Sequence, residues 1–453
     1  MTSYSSAVEQ LLALGHELPQ TPIRKFDLAH MRVLCRALRE PQCGFPAVLI
    51  AGTNGKGSTA STLASIFQAS GLCTGLYTSP HLVRVNERIR VNLAPIADEA
   101  FAAVFARVLQ TASHLVASGE LPHLPSFFEM VTAMAFVHFA EEKVDAAVLE
   151  VGMGGRLDAT NIVDPVLSII TDIDLDHQKY LGNTIAEIAG EKAGILRAGV
   201  PAVTLPQLPE ANRVLGERMI ELGARAVSAV RNVASLAPEQ SLVQSSSSGT
   251  RFRLSVLGRE VEIVSPLVGR HQLRNLALAI TAAEELAEKF PLITAETIAR
   301  GVRETRWPAR FQRLAATPTR PEIVLDVAHN PAGAWALHAA LSEQMAERPL
   351  VLLFAAMADK AIEPMAKLLW PRMSRVVLTH VGNNPRASSV ESLAALAAAI
   401  GVEAVCTTTV EDGLRTALSA ARELGPTAAV VIAGSIYLAG EVLPLLEGSE
   451  VCG

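Results

Sequence analysis

Aromatic residues are scarce in this chain of 453 residues: Trp, Tyr and Phe together make up 4% of it. With half of all residues hydrophobic, its cores must be built from Ala, Leu, Val and Ile. Cysteine is also sparse. The five (Cys35, Cys43, Cys73, Cys406, Cys452) are odd in number, scattered and form no CxxC pair, which fits reduced thiols in a cytoplasmic protein better than a disulfide framework. There is no Lys/Arg run, and the formal charge is −6, so neither nucleic acid nor a membrane surface finds an electrostatic footprint. No basic segment leads into an apolar run at the N-terminus, and the longest uncharged stretch near the end, Gly425–Gly440, is short for a membrane span. No repeat at a solenoid period is visible. The expectation is a soluble, cytoplasmic protein with ordinary buried cores, and nothing demands more than a monomer.

What is present is alternation. From Phe45 onward, short apolar runs alternate with longer amphipathic stretches, and Phe45–Ala51, Thr74–Tyr77, Ala146–Val151 and Val166–Thr171 read as strands. Continuous apolar runs of this length suit a parallel sheet covered on both faces by helices. Residues 250–263 alternate instead and read as a two-stranded hairpin, and the serine run Ser245–Ser248 before it reads as a mobile loop. A second series follows, with strands at Glu322–Asp326, Leu350–Phe354, Arg375–Thr379, Ala404–Thr408 and Ala428–Ile432. Five such units describe a separate doubly wound domain. Trp307-Pro308 interrupts a helix near the joint. The expected organisation is α/β throughout. Residues 1–305 form a phosphate-loop ATPase domain with a mostly parallel sheet plus a small hairpin, and residues 306–453 form a Rossmann-like domain. Two such domains joined by a short linker make a natural cleft for a ligand.

The chemistry begins at Gly52-Thr53-Asn54-Gly55-Lys56-Gly57-Ser58, which follows a strand and opens a helical pattern through Phe67. Glycines let backbone N–H groups approach phosphate oxygens, a helix N-terminus adds positive potential, and lysine supplies a charge. The spacing departs from G-x-x-x-x-G-K-[ST], since Gly57 separates Lys56 from Ser58. A plain glycine turn with an exposed lysine is the bland alternative; the order of strand, loop and helix argues for phosphate. A phosphate loop needs magnesium to bridge β- and γ-oxygens. Two carboxylate sources lie at later strand ends: Glu150, and the acidic run Asp172-Ile173-Asp174-Leu175-Asp176-His177. Gly152-Met153-Gly154-Gly155-Arg156-Leu157 fails as a dinucleotide fingerprint, because its third glycine position holds Leu157.

These segments, with Ser79-Pro80-His81-Leu82, Leu157-Asp158-Ala159-Thr160-Asn161, Glu191-Lys192-Ala193-Gly194-Ile195, Arg310-Phe311 and Asp326-Val327-Ala328-His329-Asn330-Pro331, resemble the folylpolyglutamate synthase/dihydrofolate synthase family of the wider Mur ligase superfamily. The resemblance runs from about Phe26 to Tyr437. It implies an ATP-dependent ligase that adds L-glutamate to a pterin carboxylate, dihydropteroate or a reduced folate, through an acyl phosphate. Position by position, it implies that Asn54, Gly55, Lys56, Gly57, Ser58, Asn275, Arg310 and Asp326 bind ATP. It assigns Ser79, Glu150 and His177 to magnesium, two ions, although hardness alone would not select the histidine. Lys192 matches a lysine that is carbamylated in such enzymes, turning a cation into a carboxylate-like metal or phosphate partner, and His329 lines the same cleft, where domain closure would assemble the site. Phe26, Asp27, Ser126, Phe128, Asp158 and Ala159 match pterin-holding positions, though Phe128 alone is better read as core packing. Ala309 stands where the family has glycine, which puts the backbone before Arg310 in question. A muropeptide ligase, a nucleotide-hydrolysing switch and a structural protein with a vestigial loop are the competing readings.

Overall fold

The computed structural model describes residues 3–15, 28–234, 244–246, 249–382 and 384–448. The chain divides into two compact units, Met1–Val243 with Arg251–Ser265 and Leu273–Arg306, and Gln244–Thr250 with Pro266–Gln272 and Trp307–Gly453. The division is therefore not contiguous along the sequence.

The first unit is built on β1 (Ala47–Ala51), β2 (Thr74–Tyr77), β3 (Ile89–Val91), β4 (Ala94–Pro95), β5 (Ala146–Glu150), β6 (Pro165–Ile170), β7 (Pro201–Thr204) and β8 (Arg225–Ser228). They form one sheet in the order β4-β3-β2-β5-β1-β6-β7-β8. The pairs from β2 to β8 are parallel, and β3 and β4 add antiparallel at one edge. Every residue of β1, β2 and β5 is buried, as expected of central strands covered on both faces. Because β1, β5 and β6 are parallel neighbours, the residues after their C-terminal ends emerge at one edge of the sheet. That edge collects the phosphate loop, Glu150 and the acidic run.

The helix Lys56–Ala69 is buried on nearly every face and is rich in Ser, Thr and Ala rather than large side chains. Small residues are required because another helix, Ala295–Glu304, crosses it closely: a Cβ on Gly301 would lie 2.4 Å from the Ile66 Cα. The Ser65 hydroxyl closes that crossing by donating to the Gly301 carbonyl at 2.7 Å. The helix Asp98–Ala117 is long and apolar enough to cross a membrane, yet Phe101, Val104, Phe105, Val108, Ala112 and Leu115 all face the core. This spacing is that of an amphipathic core helix.

The hairpin is β10 (Gly249–Val256) and β11 (Arg259–Ser265), joined by a third strand, β9 (Gln244–Ser246), in the order β11-β10-β9. Ser245 and Ser246 thus lie in a strand where a loop was expected, because the edge of β10 offers backbone partners that serine's local preference does not reveal; the remaining serines of that run lie outside the described residues. In the second unit, β12 (Gln312–Leu314), β13 (Glu322–Leu325), β14 (Leu350–Phe354), β15 (Arg375–Leu378), β16 (Ala404–Cys406) and β17 (Ala429–Ala433) form a six-stranded sheet ordered β12-β13-β17-β14-β15-β16. Five strands are parallel, as the alternation predicts, and β12 is an antiparallel edge that the sequence pattern did not reveal.

Candidate active site

The phosphate loop is held open by its neighbours. The Thr53 N–H donates to the Asp172 carbonyl at 2.8 Å, and the Thr53 hydroxyl bridges the Asp174 carbonyl (2.9 Å) and the Asp174 N–H (3.0 Å). Gly55 sits at φ 88, and a Cβ there would lie 2.1 Å from Asn275 Oδ1. Glycine is therefore needed twice, for a left-handed backbone and to admit the Asn275 amide. This contact brings together Gly55 and Asn275, which are 220 positions apart in the sequence.

Two cations converge on one carbonyl. Lys56 Nζ donates to the Gly52 and Thr53 carbonyls, both at 3.1 Å, and Lys192 Nζ donates to the same Gly52 carbonyl at 2.8 Å. Lys192 is 3% exposed. Burial, with Lys56 adding to it and Asp176 opposing, pulls its ammonium down to about 7. A large neutral fraction at neutral pH makes this amine a nucleophile, which an exposed lysine is not. Sequence reasoning missed the Gly52 carbonyl, since no side chain marks it.

Glu150, 4% exposed, accepts the Ser79 N–H on Oε2 at 3.1 Å, so a carboxylate and a hydroxyl residue stand side by side. Among the described residues no group of three or more His, Cys, Asp or Glu forms a ready-made metal cage. One carboxylate and one hydroxyl still fit magnesium, which keeps much of its water and takes phosphate oxygens as ligands. His177 occupies the left-handed region at φ 52; its N–H donates to Asp176 Oδ1 at 2.8 Å, and its ring Nε2 lies 3.8 Å from Asp176 Oδ2. The acidic run is divided in its roles. Asp172 is bound through Nε and Nη2 of Arg274, at 3.0 and 2.6 Å, and serves as an ion-pair partner rather than as a source of metal ligands.

Ser126 caps the helix Phe127–Glu141: its N–H donates to Glu129 Oε2 at 2.8 Å and its hydroxyl accepts the Glu129 N–H at 3.4 Å. Phe128 is half-buried beside Tyr77, with ring centroids 6.0 Å apart, and a Cβ on Gly152 would fall 2.5 Å from its ring. That contact joins the segment 126–128 to the glycine-rich loop 152–161. Asp158 is buried and accepts from Met153 N–H, Thr160 N–H and the Thr160 hydroxyl; burial raises its carboxyl and these bonds oppose the rise. Ala159 is buried beside it. Phe26 and Asp27 lie outside the described residues.

In the second unit, Asp326 accepts the Phe311 N–H on Oδ2 and the Ala328 N–H on Oδ1, both at 2.8 Å. Burial raises its carboxyl, with Arg310 and these N–H groups opposing. Ala309 and Phe311 adopt φ 55 and φ 48, so alanine occupies the left-handed conformation that glycine takes without strain. The Arg310 guanidinium lies 5.9 Å from the centre of the Trp307 ring. His329 Nδ1 is 2.9 Å from the Val327 carbonyl, which can only accept, so Nδ1 carries a proton.

Comparison with known proteins agrees with this geometry. Residues 50–283 match the Mur ligase middle domain, and residues 309–436 the Mur ligase glutamate ligase domain. The folylpolyglutamate synthase of Lacticaseibacillus casei is 37% identical over 97% of this chain and 99% of its own length. The dihydrofolate synthase/folylpolyglutamate synthase of Mycobacterium tuberculosis is 36% identical over 96% of this chain and 93% of its own. A solved complex of a folylpolyglutamate synthase with AMPPCP and folate superposes with a TM-score of 0.81 at 32% identity, covering 98% of this chain and 99% of that one. The phosphate loop, the paired lysines and likeness along nearly the whole length lead to one conclusion: the chain belongs to the folylpolyglutamate synthase/dihydrofolate synthase family of Mur-type ligases.

Proposed function

We propose that this chain, an ATP-dependent ligase joining glutamate to folates, accepts both dihydropteroate and reduced folates as carboxylate substrates. The observation that carries the phosphoryl-transfer chemistry is the convergence of Lys56 and Lys192 on the Gly52 carbonyl, at the sheet edge that also holds Glu150 and Ser79, and the dual acceptance is supported by likeness to a dihydrofolate synthase/folylpolyglutamate synthase. A carboxylate is a poor electrophile until phosphate becomes its leaving group. Transfer of the γ-phosphoryl of ATP makes the acyl phosphate, the glutamate amine attacks its carbonyl carbon, and phosphate departs as the amide forms.

Lys56 exchanges its loop carbonyls for phosphate oxygens and stabilises the charge that builds on them. Asn54, Gly55, Gly57 and Ser58 complete the cradle, and Asn275 receives the adenine. In the second unit, Arg310 meets phosphate, Asp326 the ribose, and His329 the reacting groups. Ser79, Glu150 and His177 hold magnesium, two ions in all, and magnesium bound there supplies charge neutralisation on the transferred phosphoryl group. Lys192 carries a carbamate: its neutral amine attacks carbon dioxide, a proton leaves, and a cation becomes an anion facing Lys56. Phe26, Asp27, Ser126, Phe128, Asp158 and Ala159 receive the pterin. The enzyme acts as a monomer in the cytoplasm, in keeping with the free thiols of Cys35, Cys43, Cys73 and Cys406.

The deciding experiment measures ADP release with L-glutamate and, separately, dihydropteroate or tetrahydrofolate. Stimulation by both is expected. Stimulation by one alone removes the dual specificity, and stimulation by neither removes the reading.

A further inference from the structure

The glycine-rich loop 152–161 is bound to the helix end that carries Lys192. The Asn161 side-chain amide donates to the Arg156 carbonyl and to the Gly194 carbonyl, both at 3.1 Å. Arg197 grips Asn161 from the other side: Nη2 donates to the Asn161 carbonyl (3.0 Å) and to its Oδ1 (2.8 Å), and Nη1 to the Gly194 carbonyl (3.1 Å). Arg156 adds its own N–H to the Glu191 carbonyl at 2.8 Å and its guanidinium to the Glu191 carboxylate at 2.8 Å.

Nothing separates the two backbones. A Cβ on Gly194 would lie 2.4 Å from the Arg156 Cα, and a Cβ on Gly155 would lie 3.0 Å from the Lys192 carbonyl oxygen. Close-packed contacts of this kind do not compress, so a shift of the loop is delivered to the Lys192 backbone. Arg197 is an expensive choice for a strut, since burial foremost, and then Arg32 and Arg218, disfavour its charge while Asp164 opposes them. Its planar fork explains the choice, because a fork can hold a backbone carbonyl and a side-chain oxygen at once.

We propose that Asn161 and Arg197 are positioning residues that lock the loop 152–161 to Lys192, so that a pterin substrate on the loop resets the Lys192 amine at the Gly52 carbonyl. The proposal rests on the assignment of Asp158 and Ala159 to that substrate. Neither Asn161 nor Arg197 needs to touch substrate. Each acts through the glycine contacts, and removing either would let the loop move without the lysine.

The test is trace acetylation of the whole enzyme with acetic anhydride, in buffer purged of carbon dioxide and bicarbonate so that Lys192 is held as the free amine, read at Lys192 by mass spectrometry, with and without dihydropteroate or tetrahydrofolate. In the wild type, saturating substrate should change the Lys192 rate by at least about five-fold, the lower end of ordinary coupling between two sites. Asn161→Ala and Arg197→Met should abolish that response, keep protection by magnesium and a non-hydrolysable ATP analogue, and lower kcat with little change in the KM for ATP. If Asn161→Ala fails to fold, Arg197→Met, which leaves the Asn161 amide bonds in place, carries the test. A variant that folds and still responds to substrate, or a wild type that does not respond, overturns the proposal. Failure of the nucleotide analogue to protect Lys192 in the wild type overturns the phosphate-site reading itself, and the coupling with it.

Discussion

At the scale of single residues, the two lysines on Gly52 differ in what their removal should do. Lys56 makes its bonds to loop carbonyls that phosphate oxygens can replace, so Lys56→Ala should cost at least about 10²-fold in kcat, as loss of a fixed charge-stabilising group does elsewhere. The fold should be unaffected, because the lysine is only partly buried and the carbonyls can be solvated; steady-state ADP release and a melting curve check both halves. Lys192 is the opposite case. Its proton is bound up to about 7 when folded, against 10.5 as the ordinary value. Between those limits the unfolded chain holds more protons, so this residue makes stability rise with pH from about 7 to about 10.5. Lys192→Met should therefore raise the melting temperature most at pH 6 to 7, and its advantage should shrink toward pH 10. A gain that grew with pH would contradict the buried-ammonium account. In the wild type, kcat should climb through pH 7 and respond to added bicarbonate, both following from the neutral amine.

At the scale of elements, the joints between segments are made by missing side chains. Gly55 begins its helix at positive φ with the Asn275 amide against it, and Gly301 lets two helices cross at the Ile66 backbone. Gly55→Ala should lose nucleotide binding and at least about 1 kcal/mol of stability, from the left-handed backbone alone. Gly301→Val should instead destabilise the fold by about 1–3 kcal/mol through overpacking, while leaving the KM for ATP unchanged in whatever fraction is folded. Denaturant melts with parallel nucleotide titrations distinguish the two. Ala309 shows that a left-handed position can be occupied by a residue with a Cβ at a cost, since the turn stands in place at φ 55.

At the scale of the whole molecule, ligand binding and stability are linked by mass action. A non-hydrolysable ATP analogue with magnesium, at about a hundred times its dissociation constant, should stabilise the fold by about 2.7 kcal/mol. The same concentration should give a clearly smaller increment for Lys56→Ala, whose phosphate loop has lost its cation. An equal shift in both proteins, measured by calorimetry, would mean that the loop does not hold the phosphates.

The sequence by itself determined the α/β class, the central strands of both sheets and the residue types at the phosphate loop. Those features are written locally: continuous apolar runs for strands buried on two faces, and glycines with a lysine before a helix. It did not reveal β3, β4, β9 or β12, which are antiparallel or edge strands of two to three residues, too short to carry a period, nor the four-residue parallel strands β7 and β8. Nor could it divide the acidic run into Asp172, held by Arg274, and Asp176, beside Lys192 and His177. Only the tertiary structure decided that two ammonium groups, 136 positions apart at 56 and 192, meet on one backbone carbonyl. A carbonyl is the same at every position of a sequence, and what it accepts depends on which distant side chains the fold delivers to it.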